Sequence, residues 1–76
     1  EVSGVKLYPN PASNMLYSSL ENDAEIQKAT FKNALGQVVM QSTNENSWNV
    51  SALASGVHFI TIETSQGTAT LKFVKR

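Results

Sequence analysis

A chain of 76 residues makes one modest domain at most, burying only about 60% of the surface it exposes when unfolded. It has no cysteine and a single histidine, His58, which excludes disulfides and the usual structural zinc sites. Six basic side chains balance six acidic ones, unlike the concentrated basic face of a nucleic-acid binder, and no apolar run approaches the roughly 20 residues of a membrane-spanning helix.

Stability must then come from packed strands, helped by a partner or a neighbouring domain. The chain opens on Glu1-Val2-Ser3-Gly4, which is polar and lacks the apolar core of a secretory leader. Residues 1–4 are expected to be a linker remnant, which favours residues 5–76 as the processed end of a longer protein over a cytosolic one. Val5-Lys6-Leu7-Tyr8 has the period of two of a half-buried strand, closed by Pro9-Asn10-Pro11, which cannot continue a ladder. Residues 15–20 form the second expected strand, with Leu16, Ser18 and Leu20 on one face and a polar turn, Glu21-Asn22-Asp23, behind them.

A third strand is expected over residues 26–33. Ala29 and Phe31 point the same way, and Ile26 is out of phase with them, as at a bulge. Ala34-Leu35-Gly36-Gln37 reads as a tight turn in which Gly36 takes a positive φ at little cost. Val38-Val39-Met40 is the next short strand, and the polar stretch 41–47 is expected to be a loop. Trp48 and Val50 alternate as a fifth strand, and residues 51–56 are too short for a helix, fitting one 3₁₀ turn or a tight loop ending at Gly56. The clearest strand covers residues 57–64, with His58, Ile60 and Ile62 on one face and Val57, Phe59 and Thr61 on the other. Ser65-Gln66-Gly67 turns the chain into a last strand, residues 68–75, where Leu71 and Phe73 share a face. About seven short strands with regular turn signals predict a small antiparallel β-sandwich.

Parts for catalysis are missing. Serine chemistry needs a histidine base, and His58 sits mid-strand, where a core or boundary role fits better. Glu21, Asp23 and Glu25 cluster, but without the ordered aspartates of a calcium loop they read as a solvated hairpin tip. The glycines are scattered among turns and form no phosphate loop, and Asn49-Val50-Ser51 matches the glycosylation tripeptide by chance-level spacing. No metal or cofactor is expected. Trp48 is read as core in preference to a sugar-stacking platform, and packing is the first explanation for Tyr8, Tyr17, Phe31, Phe59 and Phe73.

Four stretches in order carry more information. They are Leu7-Tyr8-Pro9-Asn10-Pro11-Ala12, Asn33-Ala34-Leu35-Gly36-Gln37-Val38-Val39, Val50-Ser51-Ala52-Leu53-Ala54-Ser55-Gly56-Val57 and Leu71-Lys72-Phe73-Val74-Lys75. Their succession resembles the type A C-terminal sorting domain of type IX secretion cargo, the Por secretion system C-terminal domain, over nearly the whole chain. The resemblance implies an Ig-like sandwich of seven strands at the end of a larger exported Bacteroidetes protein. It further implies recognition by the outer-membrane type IX translocon, removal by a cysteine-protease-like sortase, and attachment of the cargo to the cell surface. By the same resemblance Pro9, Asn10 and Pro11 match the opening motif, Gly36 the central turn and Gly56 the glycine before the penultimate strand. Lys72, Phe73, Val74 and Lys75 match the terminal strand that carries the signal. His58 departs from the family's frequent tyrosine, and Arg76 is an extra basic end.

The expected docking residues are therefore Lys72, Phe73, Val74, Lys75 and Arg76, with Lys72 and Lys75 read as exposed. The competing reading is an Ig-like adhesive or carbohydrate-binding module, which requires Trp48 or Tyr17 to be exposed beside polar groups. A third is a homodimer through unpaired strand edges.

Overall fold

The computed structural model describes residues 4–21 and 24–76. The expected linker at residues 1–3, and Asn22 and Asp23 of the polar turn, lie outside the described residues. Seven strands follow in order: β1 (Lys6–Tyr8), β2 (Met15–Ser19), β3 (Ile26–Asn33), β4 (Val38–Thr43), β5 (Ser47–Asn49), β6 (Gly56–Thr64) and β7 (Gly67–Lys75). They form two antiparallel sheets, β1-β2-β5 and β4-β3-β6-β7. The expected sandwich is present. In the seven-strand immunoglobulin arrangement the fourth strand joins the first, second and fifth, whereas here it flanks β3.

Alternation explains the strand faces. Along β3, Ala29 and Phe31 are buried while Lys28 and Lys32 are exposed. Ile26 is buried too, and the pairing with β6 shifts between Ile26 and Lys28, the bulge its phase required. In β6, His58, Ile60, Ile62 and Thr64 face inward and pair across to Phe73, Leu71, Ala69 and Gly67 of β7.

β4 runs to Thr43, so residues 41–43 belong to a strand where a loop was expected. Ser42 faces inward opposite Ala29 and accepts a 2.7 Å hydrogen bond from Trp48 Nε1, while Gln41 and Thr43 face water. A strand whose single inward residue here is polar has no hydrophobic alternation to betray it. Residues 51–55 form the tight loop, which starts with one i to i+3 bond from the Leu53 N–H to the Val50 carbonyl at 3.0 Å. The Asn49 side chain opens it, accepting from the Ser51 N–H at 3.0 Å and the Ser51 hydroxyl at 2.6 Å, a local Asx turn.

The core centres on Phe31. Its ring meets Trp48 edge-on at 5.5 Å and Phe73 edge-on at 5.9 Å, the arrangement aromatic quadrupoles favour. Leu16, Val50, Ile60 and Ile62 are the other large side chains that are fully buried. His58 is buried and stacks on Phe73 at 5.5 Å, its Nδ1 lying 3.2 Å from the Gly56 carbonyl, as a core histidine should. Trp48 is likewise core. Three aromatics depart from the expectation of packing: Tyr8, Tyr17 and Phe59 are 51%, 40% and 38% exposed. Each sits next in sequence to an inward residue (Leu7, Leu16, and both His58 and Ile60), and alternation turns it outward.

Candidate recognition surface

β7 is an edge strand, and its C-terminal end is held on both sides. On the inner side Val57 and Gly56 of β6 pair with Val74 and Lys75. On the outer side the segment after β1 doubles back against it. The Val74 N–H donates to Asn10 Oδ1 at 3.0 Å, the Ala12 N–H donates to the Val74 carbonyl at 2.8 Å, and the Arg76 N–H donates to the Ala12 carbonyl at 2.9 Å. Ala12 and Lys75 thereby form a short parallel bridge. Proline suits this connection because neither Pro9 nor Pro11 could donate to a ladder, and both are exposed. Ala12 is fully buried, so a longer side chain there would overpack the sandwich end.

The expected docking residues occupy different environments. Lys72 is exposed on the outer face of the sheet, Val74 is half-buried, and Arg76 is exposed. Phe73 is fully buried and belongs to the core. Lys75, expected exposed, is buried: it lies on the inward parity of β7, and its Nζ donates to the Arg76 carbonyl at 2.8 Å. Gly36 has a φ of 84° and Gly56 a φ of 128°, and a Cβ at either would meet nothing within 4 Å. Backbone conformation, not space, calls for glycine at both. Asn33 completes the first of these turns, its Oδ1 accepting from the Leu35 and Gln37 N–H groups at 2.9 and 3.0 Å.

Pairing brings the four sequence stretches to one end of the sandwich. Asn33 pairs with His58, His58 with Phe73, Gly56 with Lys75, and Ala12 with Lys75, and the turn holding Gly36 follows Asn33 directly. The outer sheet face at this end is apolar and basic. One cross-strand row runs Val38, Lys32, Phe59, Lys72, and the next pairs Val57 with Val74. Among the described residues seven large hydrophobic side chains are exposed, and five are here: Leu35, Val38, Val39, Val57 and Phe59. The remaining two, Tyr8 and Tyr17, stack at 5.6 Å on the outside of the other sheet. Val38, Phe59 and Lys32 were not among the expected site residues, although the parity of Ile60 and Phe31 already turned the last two outward.

Among the described residues no three His, Asp or Glu side chains gather into a metal site, and Asp23 of the acidic turn lies outside them. No curated protein matches the chain. A family model, the secretion system C-terminal sorting domain, matches residues 6–76, a span that includes the Pro9–Pro11 turn, both glycine turns and the whole of β7. With the sandwich and the convergence of these motifs, the chain belongs to the family of C-terminal sorting domains of type IX secretion.

Proposed function

We propose that the motif-bearing end of the sandwich is the surface read by the outer-membrane type IX translocon. A sorting domain implies a larger cargo chain and a machinery that exports it through the outer membrane. In our reading the cargo precedes this domain in the same chain and crosses the periplasm of a Gram-negative cell. A cysteine-protease-like sortase then cuts ahead of the domain, and the cargo is attached at the cell surface or released. Lys72, Val74 and Arg76 make direct contacts, while Phe73 and Lys75 act by holding β7 in place. Pro9, Asn10, Pro11, Gly36 and Gly56 position that end.

The observation that carries this reading is the meeting of four separated sequence stretches at one end, where exposed apolar and basic side chains also concentrate. Exposed apolar patches of this kind mark interaction sites. Fusing residues 1–76 behind a periplasmic reporter in a type IX-competent host should move the reporter outside the cell. Retention in the periplasm, while an established sorting tail exports the same reporter, overturns the reading.

One observation favours a second reading, a glycan-binding face. Tyr17 is exposed and lines a shallow groove with Asn10, Asn14 and Arg76, and its stacked ring offers an apolar platform beside polar groups. Glycan-array binding that disappears in Tyr17→Ala would support it.

A further inference from the structure

Among the described residues, the outer edge of β7 is covered only at its C-terminal end. Thr64 and Gly67 pair across the two-residue turn Ser65-Gln66, so alternate β7 residues turn their main-chain groups toward β6 and the intervening ones away. Val74 belongs to the outward set, since both its N–H and its carbonyl bond to the Asn10–Ala12 segment. By the same alternation Thr68, Thr70 and Lys72 turn an N–H and a carbonyl to the open edge, and all three are exposed. The other edges are poorer templates. β1 and β5 have three residues each, and β4 carries a register shift where Lys32 and Phe31 meet Val38 and Met40. β7 pairs with β6 over nine residues without a shift. Proteins usually blunt such an edge; here the Asn10–Ala12 segment covers only its last residues, and Lys72 is the one charged side chain on residues 68–72.

The face beside this edge specifies a partner. Phe59 stands between Lys72 on β7 and Lys32 on β3, which places the two lysines about 10 Å apart with an exposed ring between them. The acid on this face, Glu63, is opposite Lys28, two rows away, or about 13 Å along the strand and beyond the screening length of physiological salt. Lys32 and Lys72 are therefore uncompensated by it.

We propose that residues 68–72 of β7 receive an extended acidic strand of the export machinery by edge-to-edge strand addition. Main-chain bonds go to Thr68, Thr70 and Lys72, and an acidic side chain sits opposite Lys72. Strand addition draws affinity from the backbone and selectivity from alternate side chains. A second copy of this chain is the poorer occupant, because pairing two β7 edges would merge two basic faces into one. The inference rests on the sorting reading above.

The test uses the reporter fusion in the type IX-competent host. Thr70→Pro removes the outward N–H without touching the β6 ladder, and proline is tolerated at such edge positions. Thr70→Val keeps the N–H and serves as its control. Export should fall about tenfold or more in Thr70→Pro and in the charge reversal Lys72→Glu, with the fusion folded and trapped in the periplasm. Thr70→Val should export like the parent. If the parent is exported and the charge-reversed variant is exported equally well, the inference falls and the sorting reading stands. If the parent itself stays inside, the sorting reading falls. Should Thr70→Pro fail to fold, the charge reversal at exposed Lys72 decides alone. A purified chain that is dimeric by light scattering and monomeric as Thr70→Pro would assign the edge to a second copy and overturn the proposal.

Discussion

Gly56 and Gly36 both lie at positive φ, at 128° and 84°, but they are not equivalent. The left-handed well open to other residues lies near φ +50° to +70°, so Gly36 sits close to it and Gly56 far outside. Gly36→Ala should cost about 1 kcal/mol and Gly56→Ala about 2–3 kcal/mol, measured by urea unfolding, although neither methyl would meet a neighbour within 4 Å. Equal costs would mean the backbone at Gly56 relaxes. Trp48 gives a second residue-level contrast. Trp48→Phe keeps an aromatic body against Phe31 but leaves half-buried Ser42 without its 2.7 Å donor, at a cost of about 1 kcal/mol. Removing Phe73 is graver: it is fully buried between His58 and Phe31. Phe73→Ala should cost about 3–5 kcal/mol, a large share of the total of about 4–11 kcal/mol for a domain of this length, and should lower the urea midpoint accordingly. Its loss of export would then report folding, whereas loss in an exposed variant reports recognition.

Among the elements, β7 depends on a segment more than 60 residues earlier in the chain, since Asn10 and Val74 are 64 apart. Asn10→Ala would free the Val74 N–H, and amide exchange at Val74 should accelerate at least about tenfold while Leu71, bonded to β6, stays protected. Unchanged exchange at Val74 would show that the main-chain bonds of Ala12 hold the clamp alone. The sequence showed each partner of this clamp but not their union, because hydrophobic period reports a residue's face and never its distant neighbour. β3 and β4 make the same point within one hairpin. β3 was legible to both ends because Ile26, Ala29 and Phe31 mark its buried face. Residues 41–43 of β4 were not, because Ser42 is inward for the sake of a tryptophan on the opposite sheet.

The molecule as a whole has a Cα radius of gyration of 11.4 Å, about the value for a compact chain of this length, and its long axis separates two unlike ends. One carries the motif turns and the exposed apolar side chains. Substituting there should divide stability from function. Val57→Ser/Phe59→Ser should leave the domain folded at a cost of about 2–4 kcal/mol, since each side chain is partly buried, yet reduce export of the fused reporter several-fold. Wild-type export in that variant would move recognition away from the sheet face.

The chain's amino acids by themselves determined an all-β sandwich, the phase of β3, β6 and β7, the glycine turns and the core placement of His58 and Trp48. All of these follow from local alternation and from backbone conformations that a few residue types permit. Tertiary structure decided which members of residues 72–76 a partner can touch: Lys72 outside, Phe73 in the core, Lys75 folded under with its amine on the Arg76 carbonyl. It also decided that Lys32 and Phe59 stand beside Lys72. Those neighbours come from three different strands, and their adjacency exists only once β3, β6 and β7 share one register.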